Sequence, residues 1–389
     1  MVKNEKRNIL YYTLLDFSDK TGQSQYAYHV FKALQSNKQF IIDLVAPRPK
    51  KNIVLKELLK NKNIKFHFLA PKKKRRNYLW FIRSIIISFF IVFFKVGKKT
   101  YLIYSLKPYM ILPLIYRFIY SAKLFLLVEG LSKEDVKRVI KPKILAKLSN
   151  VIMEKNIKKA YKVYPAYQTA KEWVDSLRND HSKVITCGAD MSLFYPIIKK
   201  NSKKKNEKLT IGYIGSFRDV HLIREMLKAV LNMHVSVFLI GKGQLYNEIK
   251  DYLEKHIHKA EIDLLGELEQ KEMSKIIDEC DIMWGACDIN HWGVPMKCFE
   301  YLSCNAKVIY TKNTDLSFIK KKGYGYELTS NNIEDIKKLI KKIESLYKNN
   351  NLKKNSDSRE YISKHHSWKN FANQINSDMA LVSRNKREF

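Results

Sequence analysis

Glu300 stands between Phe299 and Tyr301 in the run GVPMKCFEYLSCNAKVIY, residues 293–310, where most neighbours have the character of protein interior. A carboxylate buried without a partner is costly, so the position asks for one. Pro295 suits the first turn of a helix, where its missing N–H is not needed. A helix starting there offers the N–H groups of Met296, Lys297 and Cys298 to an anion, and its dipole favours negative charge at that end. Lys297 adds a full positive charge. Glu300 follows about a turn and a half inside, and a carboxylate accepts paired hydrogen bonds from a vicinal diol such as a ribose. Such a helix can hold a phosphate at its tip and a ribose beside it. The plainer alternative is a Glu–Lys pair at i, i+3 on a solvated face.

Two further segments could meet a phosphate. GYIGSF places Gly215 and Ser216 after an apolar run, and LIGKGQ does the same for Gly241 and Gly243. Glycine lets an anion approach backbone N–H groups that a Cβ would shield, although a tight turn accounts for any one glycine as well. GKGQLY lacks the third glycine of a dinucleotide fingerprint, which argues against NAD. These loops need rigid strands behind them, and the sequence supplies an alternation of strands and helices. In the first half the expected strands are 8–16, 40–47, 64–70, 101–106, 123–130 and 161–167, with helices between them. In the second half they are 209–217, 235–244, the run AEIDLLGELE, DIMWGA and AKVIYT, with helices at VHLIREMLKAVLN, LYNEIKDYLEK, QKEMSKIIDEC and VPMKCFEYLSC and two more at the end. Strand–helix alternation is the pattern of parallel sheets with crossover helices, here twice over. The charged stretch IKKNSKKKNEK, 198–208, reads as the linker between two domains. In open sheets of this kind ligands sit at the carboxyl ends of the strands.

The net charge is +34, and it is lopsided. Residues 1–195 carry 38 Lys and Arg against 13 Asp and Glu; residues 196–389 carry 34 against 25. Overuse of lysine alone would load both halves alike, so the first half is expected to face an anionic surface or polyanion. KKKRR, 72–76, leads into an apolar segment, Tyr78–Phe94, of 17 residues with Arg83 inside it. Spanning a bilayer takes roughly 20 apolar residues, so the segment is expected either to cross under the sheet as a buried helix or to lie in a membrane interface. In the second case Lys72–Arg76 and Lys95–Lys99 would meet lipid phosphates. No signal peptide is legible at the start. The five cysteines, Cys187, Cys280, Cys287, Cys298 and Cys304, have no C-x-x-C spacing, which points to reduced structural thiols in a cytosolic protein rather than a zinc site. No nucleic-acid-binding signature accompanies the charge.

Taken in order, these segments resemble a family-4-like retaining glycosyltransferase of the GT-B fold, of the bacterial surface-polysaccharide type. The matching segments are the Gly22 loop in DKTGQSQYAYHV, CGADMSLFYP (187–196), IGYIGSF, LIGKGQ, LLGELEQKEMSKIIDECDIM, GVPMKCFEYLSCNAKVI and Ser367–Trp368. The resemblance is firmest from residue 183 onward. It departs from the family at Trp292, where a first glutamate often stands eight positions before the second, and at Cys187, where asparagine is usual. The basic pair that follows the Gly-Ser loop is reduced to Arg218 and His221.

The resemblance implies two Rossmann-like domains with a cleft between them, at 1–197 and 209–367, a linker at 198–208, and a C-terminal helix and tail at 368–389 returning to the first domain. It implies sugar transfer with retention from a nucleotide-sugar donor held by the second domain to a glycan acceptor held by the first. The basic, aromatic first half suits a lipid-linked acceptor, with the protein cytoplasmic and peripheral on the inner face of the membrane. No cofactor, metal or nucleic-acid partner is expected. Arg218 and Lys297 are expected to meet leaving-group charge. Gly215, Ser216, Gly241, Asn290, Val294, Met296 and Glu300 are expected around the donor, with Glu300 on the ribose. Gly22 belongs to the acceptor side. Glu129, at the end of the strand KLFLLVEG, is expected either to orient the acceptor or to form a structural ion pair. The alternative is a non-catalytic glycan- or polyanion-binding protein on the same scaffold.

Overall fold

In the computed structural model the chain divides into two compact units, Met1–Thr186 with Phe371–Phe389, and Cys187–Asn370. The structure describes residues 6–19, 22–50, 52–70, 78–129, 136, 140, 143–186, 188–197, 208–291 and 293–385. The expected linker, 198–208, lies outside them except for Lys208, as do Lys72–Arg76, Cys187 and Trp292.

The first unit runs β1 (Arg7–Tyr12), α1 (Gly22–Gln35), β2 (Phe40–Pro47), α2 (Asn52–Leu59), β3 (Ile64–Leu69), α3 (Tyr78–Phe90), β4 (Tyr101–Ser105), α4 (Leu112–Tyr120), β5 (Lys123–Val128), α5 (Lys143–Lys159), β6 (Lys162–Pro165) and α6 (Gln168–Asp175). Its six strands lie in the order β3-β2-β1-β4-β5-β6, and every neighbouring pair is parallel. Strands covered on both faces read as near-continuous apolar runs, which is how they were legible. Adjacent residues face opposite layers. Tyr11 donates its hydroxyl hydrogen to the Ala27 carbonyl of α1. Tyr104, paired in register with Tyr12, donates to Asn156 of α5 from the other face.

The apolar segment 78–94 is helical, but α3 stops at Phe90 and a π-helical turn, Ile91–Val96, follows. Gly97, at φ +65°, ends that turn in the left-handed region and donates its N–H to the Val92 carbonyl. Buried Asp43 of β2 holds the segment after it, with His67 Nε2 and Lys99 Nζ each 2.8 Å from its carboxylate. Burial pushes the Asp43 carboxyl up, but the hydrogen bonds to His67 and Lys99 outweigh it and hold the carboxyl below its ordinary range.

The second unit runs β7 (Leu209–Ile214), α7 (Ile223–Val230), β8 (Val235–Ile240), α8 (Tyr246–Lys255), β9 (Glu261–Gly266), α9 (Gln270–Glu279), β10 (Ile282–Trp284), α10 (Lys297–Ser303), β11 (Lys307–Thr311), α11 (Ser317–Lys321), β12 (Gly325–Leu328), α12 (Ile333–Lys348) and α13 (Ser358–His365). Its sheet, β12-β11-β10-β7-β8-β9, is likewise parallel. Residues 188–197 pack with this unit. The Ala189 N–H donates to the His366 carbonyl, and the Arg359 guanidinium donates to the carbonyls of Met191 and Phe194. The last helix, α14 (Trp368–Asn385), returns to the first unit from Phe371 onward. There Tyr164 donates to Asp378 at 2.8 Å, Tyr101 donates to the Met379 carbonyl, and Arg7 reaches Asn376. The two parallel sheets and the returning helix are the GT-B architecture.

Candidate functional site

In both sheets strand order reverses once, between β1 and β4 and between β7 and β10. At such a point neighbouring connections leave in opposite directions and open a crevice at the carboxyl ends of the strands. The residues singled out from sequence gather at these two places, and each unit has its own cluster.

In the second unit β7 runs into Gly215 and Ser216. A Cβ on Gly215 would meet the Tyr213 hydroxyl at 3.0 Å and Lys297 Nζ at 3.1 Å, so the glycine lets the ammonium of α10 come against the end of β7. Lys297 is 8% exposed. It donates to the Tyr213 hydroxyl at 3.2 Å and sits 4.2 Å from the centre of that ring, a cation–π arrangement that offsets part of its desolvation. Burial pushes the Lys297 ammonium down to about 8 despite the nearby Cys298, Cys287 and Glu300. Tyr301, one turn further along α10, both accepts from the Ile214 N–H at 2.9 Å and donates to the Ile214 carbonyl at 3.0 Å. These paired bonds fix the helix to the strand end.

His221 closes the same corner. Its ring lies 6.2 Å from that of Tyr213, and its carbonyl accepts from Trp284 Nε1 at 3.0 Å. Burial, followed by the positive charges of Lys297, Arg218 and His291, pushes the imidazole down to about 2. Its Nδ1 is buried without a hydrogen-bond partner among the described residues. Lys297, Arg218 and His291 therefore lie near enough to His221 to disfavour its protonation and leave the imidazole neutral. Glu300 lies at their edge, partly buried. Burial pushes its carboxyl up to about 7, while Lys297 pulls it down and Asp190 pushes it up. A buried ammonium, Lys297, beside a polar carboxyl is suited to a diphosphate with a hydroxyl-bearing group next to it.

Several expected details differ. The helix begins at Lys297 rather than at Pro295, and the Cys298 N–H already donates to the Pro295 carbonyl at 3.1 Å. One of the three N–H groups expected at its tip is thus taken. Burial of Lys297 also removes the alternative of a solvated Glu–Lys pair. Gly241 has φ +131°, and a Cβ there would fall 1.9 Å from the Gly215 carbonyl oxygen. That glycine is required by the close packing of two loops, so its missing side chain opens no space for a phosphate. Arg218 and Asn290 are exposed, Met296 is half-buried and Val294 is buried. The Asn290 N–H donates to Asp288. The four described cysteines are buried and form no disulfide.

In the first unit Glu129 follows β5 and is 5% exposed. Neither carboxylate oxygen has a hydrogen-bond partner among the described residues. Burial pushes it up to about 7, with Lys107 and Ser105 pulling the other way. Lys107, just past β4, has its Nζ 3.7 Å from Glu129 and 3.0 Å from Gln23 Oε1 on the first turn of α1. A Cβ on the adjacent Gly22 would meet nothing within 4 Å, so the helix start faces open space. Gln23 and Lys107 did not emerge from sequence reading. The available signal was a lysine directly after the apolar run YLIYSL, at the same place relative to its strand as Glu129 is to β5.

Residues 195–375 match the family described as Glycosyl transferases group 1. The fold is that of GT-B proteins, and the part of the chain from 195 to 375 is similar to the group 1 glycosyl transferases. A named relative, the uncharacterized glycosyltransferase MJ1178 of Methanocaldococcus jannaschii, is 27% identical over 158 residues, 40% of this chain and 43% of that protein; the match thus spans less than half of the relative. Among solved structures, sucrose-phosphate synthase from Thermosynechococcus elongatus superposes with a TM-score of 0.72 at 12% identity, covering 97% of this chain and 100% of that one. Anabaena Alr3699/HepE, solved in complex with UDP-glucose, gives 0.66 at 13% identity, covering 96% and 99%.

Proposed function

We propose that the protein transfers a sugar from a nucleotide-sugar donor, bound by the second unit, to a lipid-linked glycan acceptor, with retention at the anomeric carbon. The observation that carries the reading is the Lys297 ammonium held against the Gly215 turn, with Arg218 and His291 near the neutral His221 and Glu300 three residues along α10 from Lys297. The similar Anabaena protein was solved with UDP-glucose, in keeping with a nucleotide-sugar here. Lys297 and Arg218 neutralise charge that develops on the departing diphosphate, so the step is proposed to need no metal. Glu300 receives the ribose hydroxyls. Glu129, with Lys107 beside it, holds the acceptor. The basic first half supports a setting at an anionic membrane surface, on the cytoplasmic face where nucleotide-sugars are available, in the synthesis of surface polysaccharide or glycolipid.

A thermal-shift screen of UDP-, GDP- and ADP-sugars tests the donor, because a ligand that binds only the native state raises its melting temperature by mass action. A shift followed by turnover, with the product's anomeric configuration unchanged, supports the proposal. Binding without transfer or hydrolysis would instead make this a binding protein on a glycosyltransferase scaffold.

A further inference from the structure

Within the first unit, β1 to β2 to β3 steps one way across the sheet. From β3 the chain crosses back to β4 and then steps the other way to β6. Parallel crossovers are right-handed, so α1 and α2 cover one face and α3 with its π turn, α4 and α5 cover the other. The second layer is held together by rings: Phe93 of the π turn lies 5.9 Å from Tyr116 and 5.7 Å from Tyr120 of α4, and α4 packs beside α5.

The outer surface of that layer should be polar, and it is not. Ile86, Phe89, Phe90 and Phe94 project outward from α3 and the π turn, Phe94 being 77% exposed. Phe118 and Ile119 of α4 do the same, at 88% and 52%. On α5, Ile144, Leu148 and Val151 form one outward stripe at helical spacing. The layer on the opposite face, built of α1, α2 and α14, exposes only Leu59 and Leu381 among its described large apolar residues. The same chain in the same unit thus makes one ordinary surface and one apolar surface. An apolar area of this extent marks an interaction site.

Charge identifies the occupant. Arg83, Lys95, Arg117, Lys143 and Lys147 are exposed on the same three helices, whose one described acidic residue is the half-buried Glu154. A second copy of the chain would bring two basic faces together. A nucleic acid would satisfy the charge but has no use for isoleucine and leucine stripes, which cannot stack on bases as aromatic rings do. Apolar side chains set among lysine and arginine fit a bilayer with anionic headgroups, the side chains entering the acyl boundary and the cations meeting phosphates. Phe89 against Phe93 at 4.5 Å and Phe90 stacked on Phe94 hold the rings in place before contact.

We propose that α3 with its π turn, α4 and α5 together form the membrane-docking face of the protein. The proposal rests on the membrane attachment proposed above and gives it a surface wider than the basic run and apolar segment visible in the sequence.

The test is flotation of the full chain with vesicles of phosphatidylcholine alone and of equal parts phosphatidylcholine and phosphatidylglycerol. Three proteins are compared: the parent, Phe94→Ser with Phe118→Ser, and Leu59→Ser with Leu381→Ser on the opposite layer. All four residues are largely exposed, so the folds should survive, and circular dichroism with nucleotide-sugar affinity checks that they do. The parent and the opposite-layer variant should float with the anionic vesicles. The phenylalanine variant should lose about tenfold or more in binding per ring removed. If that variant floats like the parent, the attachment stands and this face is wrong. If the parent does not float, both fail, whatever the donor screen returns. A concentration-dependent dimer abolished by the phenylalanine changes, without flotation, assigns the face to a second copy and overturns the proposal.

Discussion

Affinity for the donor should depend on pH in a way the second-unit site dictates. Free Lys297 titrates near 8 and free Glu300 near 7, both displaced by burial and each acting on the other. A bound diphosphate favours the ammonium, and a bound ribose diol favours the carboxylate. Binding should therefore be strongest between the two values and weaken on either side. The sign follows from linkage: above 8 the free site must take up a proton to bind, and below 7 it must release one. Each pH unit beyond either limb costs about 1.4 kcal/mol, or tenfold in affinity, until the interaction concerned is lost altogether. The acid limb should level off sooner, since a hydrogen bond to a charged group contributes about 1.5–3 kcal/mol. Because the groups are coupled, the two apparent values belong to the pair. Titration calorimetry of a nucleotide-sugar at several pH values, in buffers of different ionisation enthalpy, measures both affinity and proton uptake. Lys297→Met should remove the alkaline limb and Glu300→Gln the acid one. A flat profile across the range, or proton release on the alkaline side, would refute the placement of these two groups around the ligand.

At neutral pH Glu300→Gln should weaken nucleotide-sugar binding about tenfold or more while the protein stays folded; unchanged calorimetric affinity would leave the carboxyl without a ligand role. Transfer activity should persist in excess chelator, and a strict requirement for added magnesium or manganese would count against charge neutralisation by side chains alone. The Glu129 carboxyl is raised from 4.5 to about 7 by burial, so its contribution to stability is present in full below 4.5 and lost as pH rises through 7. Relative to Glu129→Gln, urea unfolding should show the parent losing about 3 kcal/mol between those limits. That variant should also bind donor normally and transfer poorly, and normal transfer would return Glu129 to a structural role. Replacing Lys72–Arg76 with Ser or Gln should reduce binding to anionic vesicles without unfolding the chain, an effect that a surface of merely solvated lysines would not show.

Much of the architecture was legible because it is written locally. Buried parallel strands are apolar runs, and β2, read as 40–47, is Phe40–Pro47 in the structure. Short elements carried too little pattern: β12 has four residues with Gly325 among them, and α13 follows a polar stretch. Local geometry moved the start of α10, since the Pro295 carbonyl is used in a tighter turn before the helix proper begins. The Gly215 and Glu300 segments were legible because a glycine closing an apolar run and a carboxylate inside one both stand out in the sequence. Lys107 and Gln23 were not, because they are 84 positions apart and meet only through strand order. The loop packing at Gly241 was invisible for the same reason: its cause is the carbonyl of Gly215, in the loop after another strand.

The second unit begins and ends at one spot. Ala189 and Ser367 form a β-bridge with each other, and the chain on either side belongs to the first unit, which takes its last helix from residues 371–385. In chain terms the second unit is an insertion whose two ends lie side by side. It is the piece that could be expressed alone as one continuous segment, whereas the first is discontinuous. On the ribosome the order of completion is then reversed. The first sheet emerges early, but its buried Tyr164 and Tyr101 lack Asp378 and the Met379 carbonyl until the second unit has been made. The first unit thus waits, incomplete and with part of its apolar surface open, while the later one folds. A chain cut short after the second unit should therefore yield a folded second unit attached to an aggregation-prone first one.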